Sequence, residues 1–199
     1  MTTASTPDGQ GGHEAAYAAV VLSGGTGRRL GGTDKAGLRL GDGTLLARAL
    51  DAVVGADEVV VVGPEAATAY PVAFVLEDPP GGGPAAGLIA GLHALEGRHA
   101  LVVVIAVDMP YVSAETVTRL LDALGPDADG AFLMDPDGRR QLAGALRPNR
   151  LTMPADPHGL PMHRLLSGLD LTPVPTTGRE AFDVDTWEDV RDLRVPHSP

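Results

Sequence analysis

A glycine-rich stretch near the N-terminus carries the residue types that bind phosphate. From residue 22 to residue 35 it reads Leu-Ser-Gly-Gly-Thr-Gly-Arg-Arg-Leu-Gly-Gly-Thr-Asp-Lys, directly after a short apolar run. Glycines let backbone N–H groups come close to an anion, and Arg28, Arg29 and Lys35, the only lysine of the chain, add positive charge. Residues 26–39 hold four cations and one acid, although the whole chain has a net charge of -11. This local reversal of charge predicts a phosphate ligand.

Three other interpretations of this stretch stay open when it is considered alone. A P-loop needs Gly-Lys-Ser or Gly-Lys-Thr, whereas the lysine here lies between Asp34 and Ala36. A dinucleotide-binding fingerprint needs G-x-G-x-x-G, whereas Gly25 and Gly27 are followed by Leu30 at the third glycine position. The third is a flexible surface loop, since a chain with 26 glycines forms such clusters by chance.

Three aspartates are candidates for a second half of the same site. Asp108 follows the most apolar run of the chain, and open α/β folds bind ligands at the carboxyl edge of such strands. The alternative for Asp108 is a helix cap, but Ser113 is better placed for that role. Alternation along an extended segment puts Asp183 and Asp185 on one side of the chain. A capping turn before the last helix is the alternative for this pair.

Two loops supply weaker candidates. Residues 77–84 read Glu-Asp-Pro-Pro-Gly-Gly-Gly-Pro, in which an acid ends a strand, glycines admit a ligand and Pro84 opens a helix. Taken alone, this segment is more typical of an ordinary connection from strand to helix with an exposed acid. Arg139 and Arg140 follow an Asp-Pro-Asp-Gly turn and are either an anion site or solvated arginines. The six histidines are scattered and lack the spacing of metal ligands.

Apolar periodicity predicts the elements that position these residues. Short apolar runs predict buried strands at 18–22, 58–62, 72–76 and 101–106. Helical spacing between those runs predicts helices around 46–54, 84–95 and 113–124. Alternating strands and helices predict an α/β fold with a mostly parallel sheet covered on both faces.

The second half of the chain has a different pattern. Residues 131–134 and 141–146 flank a turn signal and predict an antiparallel pair of strands. A proline-rich irregular segment at 148–163, a short helix at 163–167 and a helix capped by Thr186 complete the prediction. No domain boundary is visible, so we expect one domain at residues 16–195 after a disordered tail at residues 1–15.

The composition excludes several classes of protein. A chain of 199 residues without cysteine forms no disulfides and offers no thiolate metal site or cysteine nucleophile. Its acidity argues against nucleic-acid binding. Its longest apolar run spans residues 100–107, too short for a membrane helix, and its N-terminus lacks the features of a signal peptide. We expect a soluble cytoplasmic protein without a membrane or nucleic-acid partner.

The glycine-rich stretch resembles the signature loop of the MobA-like nucleotidyltransferases, in particular the molybdenum cofactor guanylyltransferases. That loop reads approximately L-A-G-G-x-(S)-x-R-M-G-x-D-K. Here Ser23 stands for the usual Ala, Leu30 stands for the usual Met, and one extra glycine precedes Thr33. Three further segments match the family in the same order along the chain, at 77–87, 106–111 and 182–186.

The resemblance implies a single-domain, three-layer Rossmann-like fold that transfers GMP from GTP to molybdopterin, with Mg²⁺ as cofactor and release of pyrophosphate. It implies catalytic roles for Arg28, Lys35 and Asp108. It assigns nucleotide binding to Leu22, Ser23, Gly24, Gly25, Lys35, Asp78, Gly83 and Asp108. It assigns metal binding to Asp108 and Asp185, and acceptor binding to Arg139, Arg140 and Asp183. The partners it implies are GTP, molybdopterin and, transiently, other molybdenum-cofactor proteins.

Two departures from the guanylyltransferases keep other functions open. Gly63-Pro64-Glu65 stands where those enzymes often have Asn-x-Arg, and Asp183 and Asp185 stand where they tend to have Asn. The same chemistry with CTP and molybdopterin, or with an NTP and a sugar phosphate or phospho-acid, is one alternative. A nucleotide-binding regulatory protein without turnover is the other.

Overall fold

The structure of the protein is a computed structural model that describes residues 16–24, 35–40, 43–97 and 99–193. In this part of the chain a seven-stranded sheet lies between two layers of helices. The tail predicted at residues 1–15 lies outside the described residues, as do Gly25 and Arg28.

The strands are β1 (Ala18–Leu22), β2 (Arg39–Leu40), β3 (Gly43–Thr44), β4 (Glu58–Val62), β5 (Ala73–Val75), β6 (Val102–Ala106), β7 (Gly130–Met134), β8 (Arg140–Leu146) and β9 (Leu171–Pro175). The main sheet has the order β5-β4-β1-β6-β8-β7-β9, and β2 pairs with β3 in a small separate hairpin. Within the main sheet β8 alone runs against its neighbours. The fold class predicted from the alternating pattern is confirmed.

The central strands are parallel and are apolar on both faces. Every residue of β1 and β6 is buried, and β1 pairs in parallel with both β4 and β6. A strand that is buried on both faces needs helices on both sides, and crossover helices connect parallel strands. This arrangement brings the carboxyl ends of β1, β4 and β6 to one edge of the sheet.

The helices are α1 (Leu45–Ala52), α2 (Pro84–Ala94), α3 (Ala114–Asp122), α4 (Met162–Leu165) and α5 (Trp187–Asp192). Apolar residues of α1, α3 and α5 pack against one face of the sheet, and those of α2 and α4 pack against the other. Thr44, Ser113 and Thr186 cap α1, α3 and α5 through their side chains, so the predicted caps Ser113 and Thr186 are confirmed. No helix in the described part of the chain is long and apolar enough to cross a membrane.

Several predicted boundaries shift, each for a local reason. Helix α1 ends at Ala52, and the backbone N–H of Val54 donates to the carbonyl of Asp51 in a tightened last turn. Val54 therefore leaves the apolar stripe predicted for it and is 67% exposed. The strand predicted at 72–76 is one residue shorter at each end, and Leu76 is 61% exposed. The short helix predicted at 163–167 lies instead at Met162–Leu165.

The antiparallel pair predicted around the Asp-Pro-Asp-Gly turn is present as β7 and β8. The strand β9, which pairs with β7, was not predicted because its sequence is Leu-Thr-Pro-Val-Pro. Proline cannot donate a ladder hydrogen bond and is tolerated at sheet edges, and β9 is one of the two edge strands of this sheet.

Candidate active site

A cavity of about 220 Å³ opens at the carboxyl edge of the central strands. Residues 22–24 at the end of β1 and residues 106–109 at the end of β6 line it. The strand ends are tied together, because the backbone N–H groups of Ser23 and Gly24 both donate to the carbonyl of Val62, at 2.8 and 2.9 Å. These two N–H groups, expected from the sequence to face a phosphate, are therefore engaged within the protein and form a wall of the cavity.

Lys35 enters this cavity from a segment that is pinned to the start of α1. The carbonyl of Lys35 accepts from Leu38 N at 3.1 Å, and the carbonyl of Ala36 accepts from Leu46 N at 3.2 Å. Ala36 and Leu38 are buried in the core. The backbone that follows Lys35 is thus held by packing, and the ammonium is aimed at the edge of the sheet.

The ammonium of Lys35 joins two carboxylates that are far from it in the sequence. Lys35 Nζ donates to Asp108 Oδ2 at 2.9 Å and to Asp185 Oδ1 at 2.8 Å. The Lys35 side chain is 12% exposed. Partial burial acts to lower the pKa of Lys35, but the hydrogen bonds and charges of Asp185 and Asp108 outweigh it and raise that pKa above its ordinary value. Lys35 is therefore a fixed cation at this site.

A backbone bond sets the two aspartates of the C-terminal segment beside Asp108. The N–H of Val184 donates to the carbonyl of Asp108 at 2.9 Å, and the Val184 side chain is fully buried. Because residues on either side of an extended position point the opposite way, burial of Val184 turns Asp183 and Asp185 toward the cavity. Asp185 reaches Lys35, and Asp183 lines the cavity wall. The shared side that alternation predicted for this pair is confirmed.

The negative charge of Asp183 is disfavoured by its surroundings in the site. The residue as a whole is exposed, yet the surrounding protein removes part of the water from its carboxyl group. This desolvation raises the pKa of Asp183, and the neighbouring carboxylates of Asp185 and Asp108 raise it further. The site therefore holds more negative charge than Lys35 balances, which favours binding of a further cation.

The acid that the structure places in the cavity from the 77–84 segment is Glu77. Its Oε2 accepts hydrogen bonds from the backbone N–H groups of Gly81 at 2.7 Å and Gly82 at 3.0 Å. Asp78, the acid that the resemblance implies for nucleotide binding, is exposed and lines a separate surface groove. The signal for Glu77 was the glycine run beside it, whose free N–H groups need a carboxylate partner.

Gly83 shapes the entry to α2 and does not line the cavity itself. Its φ of 87° lies in the region that favours glycine, and it immediately precedes the helix. Pro84 and Gly87, from the first turn of α2, do line the cavity. Gly83 therefore contributes through the position that it gives to these two residues.

The two arginines after the β7–β8 turn diverge. Arg139 is 76% exposed and pairs with Asp135 at 3.1 Å, away from the cavity. Arg140 lies over the ring of Phe132 at 6.0 Å and lines a smaller pocket of about 150 Å³ that also includes His163. That pocket shares three lining residues with the main cavity: Pro84, Gln141 and Leu142. Gln141 and Leu142 were missed from the sequence, although they directly follow Arg140.

Ser23 contributes a hydroxyl with unused hydrogen-bonding capacity. The residue is 4% exposed, and no group in the described part of the chain bonds to its Oγ. A buried hydroxyl without a protein partner at a cavity wall is an available contact for a polar ligand atom.

The sequence of the chain matches the family model of the MobA-like NTP transferase domain over residues 19–170. Molybdenum cofactor guanylyltransferase of Shewanella loihica is 30% identical over 131 residues, which are 62% of this chain and 64% of that protein. The enzyme of the same name from Acidiphilium cryptum is 41% identical over 109 residues, 51% of this chain and 55% of the relative. The matches thus span about half to two-thirds of the length of these curated relatives.

Solved structures have the same fold. The Rv0371c protein of Mycobacterium tuberculosis superposes with a TM-score of 0.70 at 26% identity, covering 90% of this chain and 97% of that one. A structure of Rv0371c in complex with manganese gives a TM-score of 0.69 at 23% identity, over 90% and 98% of the two chains. The 4-diphosphocytidyl-2C-methyl-D-erythritol synthase of Anaerococcus prevotii gives 0.66 at 15% identity, over 91% and 97%, which shows the shared fold alone.

These matches exclude the P-loop and dinucleotide-binding interpretations of the glycine-rich stretch. The family match covers the central strands, Lys35 and Asp108. The chain belongs to the MobA-like NTP transferase family and is a nucleotidyltransferase.

Proposed function

We propose that this protein transfers GMP from GTP to the phosphate of molybdopterin and releases pyrophosphate. The observation that carries the proposal is the cluster of Lys35, Asp108 and Asp185 in the cavity at the carboxyl edge of the sheet. A cation held between carboxylates at that edge suits a ligand with a triphosphate group. The guanylyltransferase names of the curated relatives support guanine and molybdopterin as the substrates.

The reaction forms one phosphorus–oxygen bond and breaks another. An oxygen of the acceptor phosphate attacks the α-phosphorus of GTP, and the bond from that phosphorus to the oxygen bridging to the β-phosphate breaks. The electron pair leaves with pyrophosphate. The acceptor phosphate is already ionised at neutral pH, so no general base is needed and catalysis consists of positioning and charge stabilisation. Lys35 stabilises the phosphate charge; Arg28, outside the described residues, is proposed to do the same.

The carboxylates around Lys35 fit a magnesium ion. Asp108 and Asp185 both contact the same ammonium, so their oxygens already converge on one cationic centre. Mg²⁺ prefers one or two carboxylates together with substrate phosphates and water. In the described part of the chain no group of three or more His, Cys, Asp or Glu side chains could hold a metal ion. Asp108 and Asp185 would hold Mg²⁺, which supplies positive charge to the phosphate oxygens when bound.

The acceptor is proposed to lie on the β8 side of the cavity. There Arg140 and His163 border the smaller pocket that adjoins the main one, and Asp183 lies at the cavity wall. Arg140 supplies the positive charge that a phosphorylated acceptor needs. Arg139 pairs with Asp135, and we propose that it contributes only long-range electrostatic attraction of the acceptor.

A second candidate is the same chemistry with CTP, or with an acceptor other than molybdopterin. The observation that favours it is the pair Asp183 and Asp185, both turned to the site where the guanylyltransferases tend to have Asn. Gly63, in place of an Asn that could contact a base, points the same way.

Pyrophosphate release from each of GTP, CTP, ATP and UTP, with Mg²⁺ and with or without molybdopterin, tests the proposal. We expect release with GTP and molybdopterin together, and a loss of at least about 100-fold in Lys35→Ala and in Asp108→Ala. Asp122→Ala, an exposed acid at the end of α3, is the matched control and retains activity. Release with CTP alone would favour the second candidate, and wild-type turnover in both site variants would refute the site.

A further inference from the structure

Glu77 is held rigidly by one of its two carboxylate oxygens. Oε2 accepts from the N–H groups of Gly81 and Gly82, at 2.7 and 3.0 Å. A carboxylate bonded to two successive backbone amides cannot rotate freely, so the direction of its other oxygen is fixed as well. The glycine turn thus fixes the orientation of the Glu77 carboxylate.

The second oxygen, Oε1, faces the cavity wall between the end of β1 and the first turn of α2. A Cβ placed on Gly87 would lie 3.1 Å from Oε1, and one placed on Gly24 would lie 3.9 Å from it. The same position at Gly87 is 3.3 Å from Leu22 Cδ2 and 3.7 Å from Val62 Cγ1. No donor in the described part of the chain bonds to Oε1. Oε1 therefore lies close to the backbone of Gly87 and Gly24, which line the cavity together with Leu22 and Val62.

The chemistry of a fixed carboxylate oxygen limits what occupies this part of the cavity. A carboxylate accepts hydrogen bonds and cannot donate them, and a triphosphate offers only acceptors and negative charge. The phosphates therefore belong near Lys35, and Glu77 must face a part of the nucleotide that carries N–H or O–H groups. Leu22 and Val62 line the cavity beside Glu77, and apolar side chains next to a fixed carboxylate suit the ring and polar edge of a nucleobase better than a sugar.

We propose that Glu77 reads the nucleobase, and that its free oxygen selects guanine. Guanine presents N1–H and the N2 amino group side by side, so both neighbouring positions on this edge are donors. Cytosine and adenine place a ring-nitrogen lone pair next to their amino group, and uracil places carbonyl oxygens on both sides of its N–H. Each of these would bring an acceptor against the carboxylate, which is unfavourable. The inference rests on the proposed binding of a nucleotide in this cavity.

Glu77→Gln separates base reading from support of the loop. The glutamine carbonyl can still accept from Gly81 and Gly82, while its amide presents N–H groups where Oε1 was. In titrations with Mg²⁺, we expect wild type to bind GTP at least about tenfold more tightly than ITP, which lacks the N2 amino group. Glu77→Gln should weaken GTP binding by about 10- to 100-fold and abolish the preference over ITP. Binding of inorganic tripolyphosphate should not change.

Two matched variants and a probe without a base decide the outcome. Glu96→Gln, at an exposed glutamate outside the cavity, should bind all ligands as wild type does. Equal weakening of tripolyphosphate and GTP in Glu77→Gln would show a purely structural role and overturn the inference. A loss of base preference in Asp78→Asn instead of Glu77→Gln, or wild-type preference for CTP, would overturn it as well. Glu77-dependent binding of GTP without GMP transfer to molybdopterin would refute the proposed function and leave this inference standing.

Discussion

At the scale of single residues, the site depends on the type of cation at position 35. The chain has fourteen arginines and one lysine, and it is the lysine that lies between Asp108 and Asp185. An ammonium is a compact point charge that reaches two carboxylates at once, whereas a guanidinium is a planar fork with fixed donor directions. The compact ammonium on its flexible stem also suits contact with the oxygens of a bound phosphate.

Lys35→Arg is the sharpest single-residue test of that argument. It retains the charge, so we expect nucleotide binding to survive in part, within about tenfold of wild type, because one charged hydrogen bond is at stake. Turnover should fall more, by about 100-fold, because the larger head group misplaces the phosphates. Calorimetric titration with GTP measures the binding affinity, and steady-state pyrophosphate release measures the turnover. Wild-type turnover in Lys35→Arg would show that charge alone suffices.

At the scale of elements, the segment between β9 and α5 is fixed by a buried acid. Glu180 is 5% exposed and accepts from Arg119 of α3 at 2.9 and 3.0 Å, from Thr116 Oγ1 at 2.5 Å and from Thr177 N at 2.7 Å. Burial alone would raise the pKa of Glu180, but these hydrogen bonds outweigh it and lower that pKa. The segment fixed in this way is the one that carries Asp183 and Asp185 to the site.

Glu180→Gln should therefore reduce both stability and activity. We expect the free energy of unfolding at pH 7 to fall by about 1 to 3 kcal/mol, because the charged hydrogen bonds to Arg119 are lost. Turnover should also fall, by up to about 100-fold, if Asp185 moves by about 1 Å. Urea unfolding and pyrophosphate release measure the two effects, with Glu65→Gln as the exposed control.

The stability effect of Glu180 has a predictable dependence on pH. A carboxyl whose pKa is lower in the folded state stabilises the fold above its unfolded pKa, here 4.5, and loses that contribution as the pH falls through the folded value. The difference in unfolding free energy between wild type and Glu180→Gln should thus be constant near neutrality and shrink below about pH 4.5. A difference that grew on acidification would contradict the assigned role of Glu180.

At the scale of the whole molecule, the sheet joins the two halves of the chain. Strand β8, from the second half, inserts between β6 and β7 and pairs with both. Splitting the chain between β6 and β7 would expose unpaired strand edges in the middle of the sheet. On this ground we propose that residues 16–195 fold as one domain.

The metal dependence of the whole protein follows from the same charge balance. Removing divalent cations with EDTA should abolish GMP transfer, and Mg²⁺ or Mn²⁺ should restore it. The unfolding temperature of the ligand-free protein should not change, because Lys35 already pairs with Asp108 and Asp185 without a metal ion. Thermal unfolding with and without EDTA, beside the activity assay, checks both parts. A large destabilisation by EDTA would indicate a structural metal instead.

Local sequence was sufficient for much of this description. Apolar runs of four to six residues, the caps Ser113 and Thr186, and the turn before Arg139 determined which segments form strands and helices, since these signals act over a few neighbouring residues. The glycine-rich stretch and the acids after the strands indicated a nucleotide site at the carboxyl edge of the sheet. The strand β9 was not predicted because proline is disfavoured in strands. Its pairing with β7 in the folded sheet outweighs that local preference.

The tertiary structure alone decided which of these residues meet. Lys35 contacts Asp108 and Asp185 across 73 and 150 positions of the chain, and no local pattern encodes that distance. The choice between Glu77 and its neighbour Asp78 depends on how the glycine turn orients two adjacent side chains. The chemistry of a residue depends only on its own side chain, so the sequence revealed the glycines, the phosphate-binding cations and the acids. The sequence did not reveal which of them contact one another. Those contacts are set by the packing of buried strands and of residues such as Val184, which turn their neighbours toward a common cavity.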